Sequence, residues 1–269
     1  MKILSLETST KNFSLAVSCD QKILASRHFK LTKVLSSSII PAIDGILKKS
    51  GLALKDLDGF AVGLGPGSFT SLRVGLSTVK GLSFVTGKPI VGISSLDVLA
   101  MNAPVEAGAS ICVIGDARRN LVYSCVYRRT EKGLERVNEY SLTGMEEVLK
   151  KIKEPTFFSG DGIPLYREII REHLRGVIAS DPVPDGTGER SNLLKSKKIA
   201  SSLKNTPRND TQSELIDFLF AKEKDWYPKA SHLAKLAHPR FLRKKFDPVD
   251  KIVPLYLYPE DCQVVPRNS

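Results

Sequence analysis

One stretch in the first half of the chain, GFAVGLGPGSFTSLRVGLSTVKGLSF, constrains the fold more than any other part of the sequence. Residues 60–64 form a short apolar run bounded by glycines, which is typical of a strand buried on both faces. The GPGS turn at residues 65–68 cannot continue that strand, because proline lacks an amide donor and glycine favours sharp turns. The sequence therefore predicts a buried strand, a glycine-rich turn and a helix that follows almost directly.

The predicted helix has an unusual interior. It begins after Ser68, a favourable N-cap residue, and carries apolar residues at helical spacing from Leu72 to Leu82. Gly75 and Gly81 lie inside it, each at a cost of about 1 kcal/mol relative to alanine. Two interior glycines indicate close approach by another backbone. The sequence does not decide whether that backbone belongs to the chain's own sheet or to a helix of another protein.

The glycine-rich turn departs from the common phosphate-binding motifs. A P-loop places a lysine directly after its last glycine, whereas the first lysine here is Lys80, well inside the helix. The dinucleotide-binding fingerprint fails at its last position, where Thr70 stands. A glycine turn at a helix N-terminus can still bind an anion through free amides, so an anion site at this turn stays open.

Composition sets broad limits on function. The chain has 269 residues, 42% hydrophobic residues and a net charge of +11, and no apolar run reaches the length of a membrane span. The N-terminal MKILSLE is predicted to be a first strand rather than a signal peptide. Four scattered cysteines without a C-x-x-C pair favour reduced thiols in a cytosolic protein. The basic charge permits contact with nucleic acid but does not establish it.

The order of predicted elements is repeated in the two halves of the chain. Each half opens with a meander of strands and continues with helix, strand and helix, which predicts one domain over residues 1–104 and a second over 105–269. In the second domain we predict a third strand over 134–141, a capping box at Thr143–Glu146 and a helix over 164–174. The polar and basic stretch from 185 to 210 is predicted to be partly mobile.

The string GPGSFT-x-LR-x-G, which spans Gly65 to Gly75, closely resembles the signature of the TsaB (YeaZ-like) family. The resemblance covers most of the chain and implies an α/β fold of two tandem, degenerate actin-like (ASKHA, ribonuclease H-like) domains. It also implies a helix near 229–245 that packs back on the first domain. The sequence departs from the family pattern at Leu35, where members often carry a histidine, and at Ser71.

That family supplies the dimerisation subunit of the bacterial machinery that makes threonylcarbamoyladenosine in tRNA. The resemblance thus implies a cytoplasmic, non-catalytic partner of a kinase-like catalytic subunit, which transfers a threonylcarbamoyl group to a tRNA adenosine beside the anticodon. A family ATPase subunit would be a further partner. The sequence leaves open a homodimer and direct contact between this chain and tRNA.

The candidate site residues fall into two sets, and neither contains a catalytic or metal-binding residue. The first set serves packing or the interface with the partner subunit, with Arg73 as an ion-pair donor: Ile39, Ile43, Leu47, Phe69, Leu72, Arg73, Leu76 and Val79. We expect the chain alone to bind no cofactor. The second set would contact ATP or ADP at the subunit junction: Glu7, Thr8, Gly65, Gly67, Ser68 and Thr70.

The sequence leaves two enzymatic alternatives to consider. A stand-alone ATP-dependent kinase or ATPase of the actin-like superfamily would depend on Glu7, Asp116 or Asp161, which are carboxylates at predicted strand ends. A peptidase is disfavoured, because the sequence contains neither H-x-x-x-H nor a nucleophile motif. The related catalytic subunit of the resembled pathway carries a metal-binding histidine pair that this chain lacks.

Overall fold

The computed structural model describes residues 1–30, 34–180 and 216–258. The first half contributes β1 (Lys2–Glu7), β2 (Asn12–Cys19), β3 (Lys22–Lys30), α1 (Leu35–Lys49), β4 (Gly59–Gly63), α2 (Phe69–Thr86), β5 (Ile90–Ile93) and α3 (Ser95–Ala100). The second half contributes β6 (Ser110–Asp116), β7 (Leu121–Thr130), β8 (Gly133–Arg136), β9 (Ser141–Gly144), α4 (Met145–Lys150), β10 (Thr156–Ser159), α5 (Ile163–Ser180) and α6 (Ala230–Leu242).

Two sheets of matching topology organise these elements. The first has the order β3-β2-β1-β4-β5, with β1, β4 and β5 parallel and β2 antiparallel to both of its neighbours. The second has the order β10-β6-β7-β8, in which β6 and β10 are parallel and β9 also pairs with β7. The predicted α/β class is confirmed, and each half of the chain contributes one sheet.

The first sheet is covered on both faces. Helices α1 and α2 pack on one face, against the cluster that contains Leu4 and Phe60. Helix α6 comes from the second half of the chain and covers the other face, where Leu233 and Phe241 contact Ile3. Pro239 lies inside α6 without dividing it. Burial on both faces explains why β4 reads as an uninterrupted apolar run.

Three details of the second unit correct the sequence predictions. Thr143 does not cap α4, because it pairs in extended conformation within β9 and leaves Gly144 at the N-cap position without a side-chain bond. The strand predicted over 134–141 is divided into β8 and β9, which both pair with β7. The helix predicted over 164–174 extends to Ser180.

Some predictions fall beyond the described parts of the chain. The basic stretch from 185 to 210 and Cys262 lie outside the described residues, whereas Cys19, Cys112 and Cys125 are free cysteines. In the described ranges, no helix has both the length and the apolar character that crossing a membrane requires.

Candidate functional site

A cleft of about 520 Å³ opens between the two sheets. One wall combines the β1–β2 turn, which carries Ser9 and Lys11, with the glycine-rich turn before α2. The opposite wall combines the β6–β7 turn, which carries Arg118, with Asp161 from the loop after β10. The duplicated topology thus places the turn after the first strand of each half on opposite sides of one cavity.

The glycine-rich turn allows two backbone segments to approach closely. A side chain at Gly67 would collide with the backbone of Ser9, and the Ser68 amide donates to the Ser9 carbonyl at 2.7 Å. Gly65 has φ of +92°, a conformation that glycine adopts without strain. These glycines therefore serve the packing of the glycine-rich turn on the β1–β2 turn.

The N-terminus of α2 opens towards the cleft without a side-chain cap. Ser68 holds the predicted N-cap position, but its hydroxyl donates to Ser71 Oγ at 3.1 Å and accepts no backbone amide of the helix. The Ser9 hydroxyl is buried and lacks a hydrogen-bond partner among the described residues. Lys11 and Arg118 bring positive charge to the same cavity. Helix amides, a free hydroxyl and two cations suit an anionic group.

The two carboxylates of the cleft hold the β6–β7 turn in place. Asp161 Oδ1 accepts the Asp116 amide at 3.1 Å, and Asp116 pairs with the Arg118 guanidinium at 3.2 Å. Arg118, Arg119 and Asn120 have φ of 65°, 53° and 59°, which places three consecutive residues in the left-handed region. Burial raises the pKa of Asp161 above its ordinary value. The carboxylates are thus engaged in fixing a turn that presents Arg118 to the cavity.

Glu7 lies behind the cleft wall, where it joins three elements. Its carboxylate accepts the Ser9 amide at 2.8 Å and the Ser95 hydroxyl at 2.9 and 3.1 Å. Ser95 Oγ in turn accepts the Gly65 amide at 3.1 Å, so one chain of bonds links β1, the glycine-rich turn and α3. Burial raises the pKa of Glu7, and the hydrogen bonds from Ser9 and Ser95 oppose that effect. Glu7 therefore serves to hold these three elements together.

The raised pKa of Glu7 predicts how stability changes with pH. A carboxyl whose pKa is raised in the folded state stabilises the fold fully below its ordinary value of 4.5. That contribution is lost as the pH rises towards the folded pKa, because the unfolded chain ionises first. We expect the urea midpoint of the wild type, compared with Glu7→Gln, to fall as the pH increases from about 4 to 7. A wild-type advantage that grows with pH would contradict the assignment.

An aromatic cluster forms the rim of the cleft and is joined to the C-terminal segment. The Arg73 guanidinium stacks over Phe69 at 3.9 Å from the ring centre and donates to the Tyr256 hydroxyl at 3.0 Å. Two residues later, the Tyr258 hydroxyl donates to the Ala117 carbonyl at 2.6 Å. The extended segment after α6 therefore bridges the start of α2 and the β6–β7 turn.

The structure divides the predicted nucleotide-contact set. Gly67 and Ser68 line the cleft. The remaining four do not: Glu7, Thr8 and Gly65 are buried behind the wall, and Thr70 lies on the exposed first turn of α2. Sequence reasoning missed Ser9, Lys11 and Arg118 as lining residues. These lining residues could have been identified, because polar residues directly follow the first strand of each half.

The structure also divides the set predicted to serve packing or the partner interface. Phe69 and Arg73 are exposed on α2. The other six side chains are at most 6% exposed and belong to the chain's own core, because the apolar stripes of both helices face the first sheet: Ile39, Ile43, Leu47, Leu72, Leu76 and Val79. Burial thus favours packing over partner contact for these six.

The two glycines inside α2 have different neighbours. A side chain at Gly75 would collide with Thr8 at the end of β1, so this glycine allows the helix to approach its own sheet. Gly81 is exposed, and a methyl group there would meet no atom within 4 Å apart from the adjacent residues and backbone of α2 itself. We call the exposed residues of α1 and α2 the two-helix face, which includes Ile40, Gly45, Ser77, Gly81, Phe84 and Val85.

Metal-binding side chains are not grouped in the parts of the chain that the structure describes: no set of three or more His, Cys, Asp or Glu residues could hold an ion there. His173 Nε2 lies 2.9 Å from the Ile152 carbonyl. Burial lowers the pKa of His232 to about 4, which keeps that imidazole neutral near physiological pH.

Comparison with known proteins relates the chain to one pathway. The family model described as TsaD, tRNA N6-adenosine threonylcarbamoyltransferase, matches residues 29–263. The tRNA threonylcarbamoyladenosine biosynthesis protein TsaB of Bacillus subtilis is 32% identical over 177 residues, which cover 65% of this chain and 77% of that protein. The TsaB protein of Escherichia coli is 36% identical over 136 residues, which cover 50% of this chain and 58% of that protein.

The fold also has a solved counterpart. YeaZ from Pseudomonas aeruginosa superimposes with a TM-score of 0.67 at 22% sequence identity, and the match covers 95% of this chain and 99% of that structure. The arrangement of two sheets with their helices is therefore shared with YeaZ.

Proposed function

The chain belongs to the TsaB (YeaZ-like) family, and we propose that it is the non-catalytic partner subunit of a tRNA threonylcarbamoyladenosine transferase complex. In this complex a kinase-like subunit of the TsaD type transfers the threonylcarbamoyl group to a tRNA adenosine beside the anticodon. The relatives named as threonylcarbamoyladenosine biosynthesis proteins and the match to the TsaD family model support this pathway.

The observation that carries the partnership is the two-helix face. Phe84 and Val85 are 86% and 80% exposed on the last turns of α2, and Ile40 is 53% exposed on α1. Gly45 and Gly81 have open space above them on the same two helices. Small residues flanked by exposed apolar side chains let another helix approach closely and bury apolar surface. We assign this face to a helix of the TsaD-type subunit.

The kinase alternative requires three carboxylates to act in catalysis, but their hydrogen bonds and ion pair favour a structural role. Glu7 is held beneath the glycine-rich turn, Asp116 pairs with Arg118, and Asp161 accepts a backbone amide. Each is engaged in positioning a turn. The TsaB relatives favour the same reading over a stand-alone kinase.

A nucleotide bound in the cleft, between the two sheets of this chain, is part of the proposal. Ser9, Lys11, Arg118 and the start of α2 converge on the cleft and suit the phosphates of ADP or ATP. Arg118→Gln is expected to weaken binding of fluorescent ADP to the complex about tenfold or more, because it removes a charge-assisted contact. Arg119→Gln is the matched control, since Arg119 shares the left-handed backbone but does not line the cleft. Equal affinities for both variants would contradict the site.

The partnership is tested by mixing the purified chain with the TsaD-type subunit of its own organism. Gel filtration with light scattering is expected to show a heterodimer whose mass is the sum of the two chains. A homodimer of this chain alone would compete for the same face and is expected to dissociate when the partner is added. A family ATPase subunit and a cytoplasmic location complete the proposal. If no heterodimer forms while the chain alone hydrolyses ATP, the kinase alternative replaces the partner-subunit proposal.

A further inference from the structure

A run of unpaired cations follows helix α6. Arg243, Lys244 and Lys245 are exposed, and exposed apolar side chains flank them: Leu242 at 64% and Phe246 at 41%. In the described ranges none of these three cations has an ion-pair partner. We call residues 242–246 the basic turn.

The basic turn has a fixed shape. The Lys244 amide donates to the Phe241 carbonyl at 3.0 Å, and the Lys245 amide donates to the Arg240 carbonyl at 2.8 Å. Lys244 has φ of 52°, in the left-handed region where a helix usually ends with glycine. The Phe246 ring lies 5.7 Å from that of Phe241. The three cations are therefore presented on a hydrogen-bonded turn.

A purely structural role accounts for little of this arrangement. Cations near a helix C-terminus can offset its dipole. The last carbonyls of α6, however, already accept the amides of residues 243–245, and glycine would satisfy the left-handed position better than Lys244 does. By contrast Arg240, one turn earlier, bonds Asp247 and the Gly92 carbonyl, both at 2.9 Å.

We propose that the basic turn binds the phosphate backbone of RNA, with Phe246 available to stack on a base. Cations without protein partners contribute to RNA affinity by releasing counterions from phosphates, and aromatic rings add sequence-tolerant stacking. The net charge of +11 favours a polyanion in general. The inference rests on the proposed function, which makes tRNA the RNA that the complex meets. It adds that this chain, and not only its catalytic partner, contacts the tRNA.

The position of the basic turn leaves the other surfaces free. Helix α6 covers the sheet face opposite α1 and α2, so the turn does not belong to the two-helix face. The Asp247 amide bonds the Ile90 carbonyl, which places the turn beside the beginning of β5. The cleft lies at the other ends of the parallel strands, where Ser9 and Gly67 line it. RNA at the basic turn would therefore approach from the sheet face opposite to the one that α1 and α2 cover.

The test measures the affinity of the complex, with the TsaD-type subunit, for a fluorescently labelled, unmodified tRNA transcript at several salt concentrations. For Arg243→Gln with Lys245→Gln, we expect the slope of log affinity against log salt to become less steep by roughly 1 to 2. At about 0.1 M salt the affinity is expected to fall about tenfold or more. Lys222→Gln with Lys224→Gln removes the same charge from another exposed segment and is expected to retain the wild-type slope.

Lys244→Gly separates RNA binding from stability. It removes a cation and relieves the left-handed backbone, so we expect weaker tRNA binding together with an unchanged or higher melting temperature. A lower melting temperature with unchanged tRNA affinity would show a structural role and overturn the proposal. Binding of phosphatidylserine vesicles in place of tRNA would overturn it as well. Light scattering on the same samples reports heterodimer formation. If the heterodimer forms but the double variant binds tRNA like wild type, only this inference fails.

Discussion

Replacing Phe84 with aspartate is expected to weaken the complex with the TsaD-type subunit by at least about 100-fold while the free chain stays folded. The side chain is 86% exposed, so the free chain loses almost no packing. In the complex, a charge would replace a large aromatic anchor beside the open surface at Gly81. Dissociation constants measured by isothermal titration calorimetry, with circular dichroism as the folding check, test this expectation.

Two further variants sharpen the Phe84 result. Gly81→Ala adds a methyl group where the free chain has open space, so the free chain should become more stable by up to about 1 kcal/mol while binding weakens. Phe218→Asp changes an exposed phenylalanine of the second unit and is expected to leave affinity unchanged. Full affinity in both Phe84→Asp and Gly81→Ala would show that the partner binds elsewhere.

Replacing Leu76 with aspartate is expected to unfold the chain. Leu76 lies two turns before Phe84 on α2, but only 5% of it is exposed and it packs in the core of the first unit. Truncation of a buried leucine costs about 2–5 kcal/mol, and a buried unpaired charge adds to that. The sum approaches the whole stability of a typical domain, about 5–15 kcal/mol.

Urea unfolding followed by circular dichroism measures the Leu76 effect. Because Leu76→Asp and Phe84→Asp introduce the same side chain on one helix, their comparison separates the inward side of α2 from the outward side. A folded Leu76→Asp variant that fails only in binding would contradict the burial described here and return Leu76 to the interface.

The central strand, turn and helix could be predicted from sequence because local signals agree there. The apolar run of β4, the break at Pro66 and the spacing of Leu72, Leu76 and Val79 all indicate the same structure. The same spacing could not predict what this apolar stripe of α2 packs against. An apolar stripe on a helix is equally consistent with a core and with an interface, and only the position of the first sheet decides between them.

Other features depended on contacts distant in sequence. The capping box suggested at Thr143 was overridden, because that residue pairs with β7 as part of a strand. The sequence left an anion site at the glycine-rich turn open, but it could not show that Gly67 must be small because the Ser9 backbone packs against it. Arg118 reaches the cleft only because the two sheets face each other across it. No local pattern contains that information.

The transfer reaction itself is the most direct test of the proposed function. Incorporation of labelled threonine into an unmodified tRNA transcript would be measured with ATP, bicarbonate and the enzyme that makes the threonylcarbamoyl adenylate. We expect negligible incorporation with this chain alone, little with the TsaD-type subunit alone, and full incorporation with both and the ATPase subunit. Full incorporation without this chain, or incorporation by this chain without the TsaD-type subunit, would contradict its assignment as a required non-catalytic partner.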